Sequence, residues 1–456
     1  MAVETARLVE RIWARDASLW TGGDEDRWLG WLDEPVRMRE RVSELEAFAR
    51  SAREDGLADA VLAGMGGSSL APLVFAGASG NETVHVLDTT HPDAIRALDE
   101  RLDPERTLFL VASKSGTTLE TRCHLEYFWE RSGRRGECFA AITDPGSELE
   151  REARARGFRA VFSGEPTIGG RYSALSAFGL VPAALMGFDL DRLLLRTEEI
   201  VEACRLADGN PGLELGERLG YAWREGRDKV VIPSSACRLE LWIEQLLAES
   251  TGKEGKGLVP APGEPPEGAD RQSEETRTGD AYELGQEFYR WEFATAVAGA
   301  IMELNPFDQP NVQEAKDRTA AILAREEEVE LEPVGSLGEL VAEAKPGDYF
   351  CIQAFVEPTA EAERRIAAVR ERVREETGAV TTAGFGPRYL HSTGQLHKGG
   401  PPSGLFLQLV DETDELAIPG SPFGFRRLIR AQAAGDFEAL RDRGRPVARI
   451  PWEGLS

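Results

Sequence analysis

From about residue 57 the chain alternates short apolar runs with amphipathic stretches long enough for crossover helices, a pattern that restricts it to parallel sheet covered on both faces. Strands are predicted at 60–63, 84–87, 107–112, 138–143 and 160–162, so residues 41–205 read as one doubly wound domain of five strands. A second series follows, at 229–232, 350–356, 405–410 and 447–450, and makes 206–456 a second α/β domain. Residues 1–40 read as a helical arm whose Trp13, Trp20, Trp28 and Trp31 anchor it against the body. The stretch 252–285, dense in Gly, Pro, Glu and Asp, reads as a long surface excursion or mobile loop.

Charge narrows the partners. With 79 acidic against 53 basic side chains the net charge is −26, and the resulting repulsion argues against nucleic acid and anionic membrane surfaces. No run approaches the ~18–20 apolar residues of a membrane span, and MAVETARLVERIWARD reads as an amphipathic helix rather than a signal peptide. A soluble, cytoplasmic protein is expected. Its cysteines, Cys123, Cys138, Cys204, Cys237 and Cys351, are odd in number and lack CxxC spacing, so they read as buried free thiols. Histidine is scarce and no HExxH occurs, so neither metal nor cofactor is expected.

In VLAGMGGSSLAPL an apolar strand runs into Gly64, Gly66, Gly67, Ser68 and Ser69 before a helix. Unpaired amides and the helix dipole make such a turn an anion site. The third glycine of a dinucleotide fingerprint is Ser69 here, so a dehydrogenase reading fails, although Asp88 lies about twenty residues on, where a ribose-binding acid belongs. In TLFLVASKSGTTLE, Ser113, Lys114, Ser115, Thr117 and Thr118 precede another helix. Thr117 and Glu120 have capping-box spacing, which explains one hydroxyl and not the rest. Both loops leave the carboxyl ends of neighbouring strands, where open α/β sheets bind ligands, so one phosphate pocket is inferred from amides near Gly66 and Gly67 and from Ser68, Ser113, Lys114, Ser115 and Thr118.

Three further motifs carry candidate chemistry. Glu249 closes a helical stretch, where an acid opposes the helix dipole and so calls for a purpose such as general base; Gln245 lies one turn earlier on the same face. Gly169 and Gly170 before Arg171 let backbone approach a ligand while the guanidinium reaches it. Lys316 sits in a helix expected to start near Pro310 with Gln309 as cap, and by itself reads as an exposed lysine.

The two hydroxyl loops resemble sugar isomerase domains, and IGGRYSALSAFGL, QLLAESTGKEGKG and NPFDQPNVQEAK resemble the signatures of the glucose-6-phosphate isomerase family in their usual order. ERIWARDASLWTGGDEDRWLGWLD and GPRYLHSTGQLHKGGP are similar to the isomerase half of bifunctional transaldolase/glucose-6-phosphate isomerases; no transaldolase half is recognisable, and a separately encoded transaldolase is raised as a partner. The resemblance implies two doubly wound, flavodoxin-like domains behind the helical arm. It implies cofactor-free, reversible isomerisation of glucose 6-phosphate to fructose 6-phosphate in glycolysis and gluconeogenesis, by ring opening and a cis-enediol.

Roles follow from the same resemblance. Glu249 moves the proton between carbons 2 and 1, Arg171 stabilises the enediolate, Lys316 serves ring opening and substrate binding, and Gln245, Gln309, Gly67 and the loop hydroxyls hold substrate. The histidine departs from the family pattern, because none occurs between Glu249 and Lys316. LHSTGQLHKGG resembles the missing segment displaced beyond the lysine motif, as in a permuted second domain, with His391 favoured over His397 as ring opener and His397 otherwise a substrate contact. In the family this histidine comes from the other subunit, which implies a homodimer. His85, His91 and His124 read as structural. Two alternatives stay open: a non-catalytic sugar-phosphate-binding regulatory module, and an isomerase that also takes mannose 6-phosphate. In every case the acidic surplus belongs to the outer surface and the pocket is expected to be a positive island.

Overall fold

The computed structural model describes residues 2–325 and 327–455. Five parallel strands, β1 (Asp59–Ala63), β2 (Val84–Leu87), β3 (Thr107–Ala112), β4 (Phe139–Thr143) and β5 (Ala160–Ser163), form the first sheet in the order β2-β1-β3-β4-β5. Every residue of β3 and β4 is buried, which explains their unbroken apolar sequence: a parallel strand under helices on both faces has no polar side to display. In this order the chain reverses direction across the sheet between β1 and β3, which pair in register at Leu62 and Leu110. The two hydroxyl loops therefore open into one crevice, as their sequences require.

The second half holds β6 (Lys229–Ile232), β7 (Val259–Pro262), β8 (Arg271–Ser273), β9 (Tyr349–Phe355), β10 (Val380–Phe385), β11 (Gly404–Val410) and β12 (Val447–Pro451). All pair in parallel, in two groups ordered β7-β6-β8 and β10-β9-β11-β12. Three of these strands escape the sequence reading. β7 reads VPAP, and its prolines are tolerated because it pairs along one side only. β8 has three residues, and β10 begins with a polar VTT. The stretch 252–285 is accordingly not a surface excursion throughout: β7 and β8 flank β6, and Gly252, Lys253 and Leu258 are buried. A buried carboxylate joins the two groups at this edge. Glu264, just past β7, accepts from Thr381 Oγ1 of β10 at 2.5 Å and from Arg370 and Arg374, both at 3.1 Å.

The helix Leu284–Met302 runs through the interior, with every residue but Gln286 buried, and the charges of Glu287 and Arg290 are matched there as an ion pair at 2.7 Å. The helix Pro211–Arg224 lies against it through Gly212, Gly216 and Gly220, one per turn, facing Phe293, Val297 and Ile301. A methyl group at any of the three would stand 2.5–2.8 Å from these side chains or the backbone, so only glycine permits this separation.

The arm packs as its tryptophans suggest. Trp13 Nε1 donates to Cys204 O and Trp20 Nε1 to Ala296 O, both at 2.9 Å, and Trp31 is buried, while Trp28 is half-buried and bonds only its neighbour Asp24. Trp20 meets Phe307 edge-on at 5.2 Å, and the contacts continue through Tyr172 at 5.3 Å to Trp31 at 5.4 Å. The five cysteines are buried and free. Among the described residues no helix is long and apolar enough to cross a membrane. Replacing Trp20 with alanine removes an aromatic side chain and a buried donor together. Trp20→Ala is expected to lower stability by about 3–5 kcal/mol, read as a fall in urea midpoint with unchanged slope.

Candidate active site

At the carboxyl end of β1 the chain turns through a short 3-10 segment, Gly66–Ser68, where Gly66 adopts φ +54°. A Cβ on Gly66 would lie 2.3 Å from His391 O, and one on Gly67 would lie 2.1 Å from Gly170 O. These glycines bring three segments, far apart in sequence, into direct backbone contact. In the β3 loop Ser113 Oγ donates to Thr118 Oγ1 at 3.0 Å, and the Ser115 and Thr117 hydroxyls lie 3.0 Å apart. Gly67, Ser68 and Thr118 are each partly open, and Ser115 and Thr117 are more so.

Two expectations for this loop change. Lys114 does not face the hydroxyls: its ammonium lies 2.5 Å from Asp144 Oδ2 and 3.0 Å from Glu165 O, so it braces β3 to the segments after β4 and β5. Nor do Thr117 and Glu120 form a capping box. The helix Leu119–Arg131 has Thr118 at its N-cap without a side-chain bond, and Glu120 turns elsewhere.

Arg171, in the 3-10 turn Gly170–Tyr172, is 1 % exposed. Burial of a guanidinium is costly unless its donors are matched, and here they are. Nε donates to Ser250 Oγ at 2.7 Å, Nη1 to Gln309 Oε1 at 2.7 Å, and Nη2 to Pro306 O at 2.7 Å and Asp308 O at 3.0 Å. The remaining contact is ionic, Nη1 to Glu249 Oε1 at 3.2 Å. Glu249 lies in the last turn of the helix Leu239–Thr251 with 12 % of its side chain exposed. Its other oxygen accepts from Gln245 Nε2 at 3.0 Å, and the same nitrogen donates to His391 O at 2.8 Å. Gln245 thus bridges the acid to the histidine segment, leaving its Oε1 buried without a protein partner.

Lys253, which the sequence reading passes over, clamps the 305–308 turn from the other side. It bonds Asn305 O at 2.7 Å, Asp308 O at 2.6 Å and Asp308 Oδ1 at 2.5 Å. Burial first, and the adjacent Arg171 second, push its ammonium down to about 8.

Beside these groups opens a cavity of about 310 Å³ lined by Thr118, Glu120, Lys316, Leu390, His391 and Gln432. Lys316 is exposed on the helix Val312–Leu323, which begins near Pro310 as expected but has Asn311 rather than Gln309 at its N-cap. His391 Nε2 lies 2.7 Å from Glu120 Oε1. Burial alone would raise the Glu120 carboxyl, but His391, by charge and hydrogen bond, and Lys316, by charge, hold it down at about 2. Glu120 is thus a site residue that its capping-box spacing disguised.

His397 does not reach the cavity. It is buried between the rings of Tyr389 and Phe406, 3.4 Å from Cys351 Sγ, and burial drives its imidazole well below its ordinary value, so it is a neutral core residue. His391 meets Glu120 within its own chain. His85 pairs with Asp59, His91 with Asp411, and His124 bonds Thr89 O. Asp88, placed where a ribose-binding acid belongs, faces Arg388 at 3.6 Å.

A parallel sheet of order 2-1-3-4-5 with a hydroxyl crevice at its reversal point, joined to a second α/β half, defines a doubly wound α/β fold. More particularly, residues 36–207 match the phosphoglucose isomerase family model, a span that holds both hydroxyl loops and Arg171 and stops before Glu249. The glucose-6-phosphate isomerase of Gloeothece citriformis is 33% identical over 269 residues, which are 55% of this chain and 50% of that protein. That of Thermosynechococcus vestitus is 32% identical over 283 residues, 54% of each chain. The chain thus spans about half the length of the curated relatives it matches. A glucose-6-phosphate isomerase structure from Chlamydia trachomatis shares the fold at a TM-score of 0.54 and 19% identity, over 79% of this chain and 81% of that one. The resemblance read from the motifs is therefore borne out.

The Glu120 pair has a consequence for pH. A carboxylate whose proton affinity falls on folding stabilises the native state above its unfolded value, near 4.5, and loses that contribution as pH falls toward 2. The difference in urea midpoint between wild type and Glu120→Gln should shrink steadily as pH falls below about 4.5. A difference independent of pH down to pH 3 contradicts the pairing.

Proposed function

We propose that the chain interconverts glucose 6-phosphate and fructose 6-phosphate, with residues 41–205 supplying the phosphate loops and 206–456 the acid, lysine and histidine. The observation that carries this reading is the Glu249 carboxylate held 3.2 Å from the Arg171 guanidinium and joined through Gln245 to the carbonyl of His391, whose ring pairs with Glu120. Aldose–ketose isomerisation needs a base between two adjacent carbons, a cation for the enediolate and a proton carrier for the ring oxygen. On this reading the phosphate binds the amides at Gly66 and Gly67 and the hydroxyls of Ser68, Ser113, Ser115 and Thr118. His391, backed by Glu120 and with Lys316 nearby, exchanges a proton with the sugar ring and opens it. Glu249 takes the proton from carbon 2, the C–H electron pair passes into the enediolate, and the same carboxylic acid returns the proton to carbon 1. Arg171, immobilised by its four protein bonds, meets the developing negative charge without reorganising. The reaction would serve glycolysis and gluconeogenesis in the cytoplasm.

Glu249→Gln keeps the shape and removes the base. Turnover in a coupled fructose 6-phosphate assay should fall by about 10³-fold or more, while calorimetric binding of glucose 6-phosphate stays within about threefold of wild type. Near wild-type turnover would remove Glu249 from the mechanism, and a wild-type chain that binds sugar phosphate without converting it would point to the regulatory module instead.

A further inference from the structure

The Glu120 oxygen that faces His391 serves two donors. Gln432, 2 % exposed on the helix Phe425–Asp442, directs its Nε2 to Glu120 Oε1 at 2.7 Å, the same distance at which His391 Nε2 meets that atom. The far end of the amide is fixed as well, because Thr90 Oγ1 donates to Gln432 Oε1 at 2.9 Å from the loop after β2. Thr90 is wholly buried. Were the amide reversed, its oxygen would oppose the carboxylate, so the Thr90 bond and the Glu120 charge select one orientation between them.

We propose that Gln432 is a positioning residue that divides the hydrogen-bonding capacity of Glu120 between itself and His391, and so limits how tightly the carboxylate holds the imidazole proton. A carboxylate oxygen satisfied by two donors binds each less strongly than it would bind one. In the isomerase reading, on which the catalytic part of this inference rests, the imidazole must give up and recover a proton at the sugar ring. A carboxylate bound to the imidazole alone orients it but grips the shared proton more tightly. Among the described residues, Lys316 from the facing helix lowers Glu120 by its charge, and Cys123 and His124 on its own helix sense the Glu120 charge. Among these, Lys316 opposes the carboxylate charge without sharing its oxygen, so Gln432 is the residue whose loss changes the division directly. The three participants come from three separate regions: the loop after β2, the helix after β3 and the helix before β12. Their meeting depends on the two halves of the chain docking.

The test compares wild type with Gln432→Leu and Thr90→Val by proton NMR of the downfield imidazole N–H resonance, assigned by its loss in His391→Gln, and by kcat and KM against pH. In Gln432→Leu the resonance should move further downfield. The turnover number should fall about 10- to 100-fold with KM within about threefold. Thr90→Val should act in the same direction and less strongly, and the double variant should be no worse than Gln432→Leu alone, as expected for residues acting through one bond. A folded Gln432→Leu with an unmoved resonance overturns the proposal. If Gln432→Leu fails to fold, an unmoved resonance in Thr90→Val overturns it equally. The resonance moving in a wild-type background without isomerase activity would uphold the positioning role and discard the isomerase reading.

Discussion

A buried guanidinium organises this molecule. Arg171 is withdrawn from water, and a charge in that position persists only if nearly every donor finds an acceptor. Its acceptors come from the helix Leu239–Thr251, from the turn at 306–308 and from Gln309, so one residue near the end of the first half fixes two segments of the second. Lys253 clamps the same turn from beneath, and the aromatic run Trp20, Phe307, Tyr172 and Trp31 packs the arm against it. Glu249 is then oriented by contact with a cation that cannot move.

The same economy of space appears wherever backbone meets backbone. Gly67 lies against Gly170, Gly66 against His391 O, and the stripe Gly212, Gly216 and Gly220 against the central helix. In each place a side chain would force apart elements whose closeness defines the crevice. The His391 segment is the clearest case: its carbonyl rests on the β1 loop and accepts from Gln245, while its imidazole reaches Glu120 on the helix after β3. The histidine segment thus ties the β1 loop, Gln245 and Glu120 together.

Much of this was legible in advance. β2, β3 and β6 fall where apolar runs between turns place them, and the pairing of β1 with β3 follows from their shared loop chemistry. The strands that escaped are those whose burial the sequence does not advertise, β7 for its prolines, β8 for its brevity and β10 for its threonines. Lys114 and His397 were misplaced for a common reason. A lysine beside four hydroxyls and a histidine in a motif look like ligands, yet the ammonium had Asp144 within reach and the imidazole had an apolar pocket between two rings. Glu120 is masked in the sequence by its capping-box spacing to Thr117, a local pattern that the folded chain does not use. The expected positive island is likewise tempered, because Lys114 and Arg171 each carry a carboxylate partner.

By itself the sequence determined the class of fold, the two glycine- and hydroxyl-rich loops, and the residue types able to move a proton beside a bound phosphate. These are properties of short segments, set by periodicity, turn chemistry and local hydrogen bonding. Tertiary structure alone decided which histidine faces the cavity, which lysine is a brace, and that Glu120, Gln432 and Thr90 form one chain of bonds. The physical reason is that electrostatic contacts at 2.7–3.2 Å act between side chains separated by as many as 342 residues, and only the docking of the two halves brings those atoms within range.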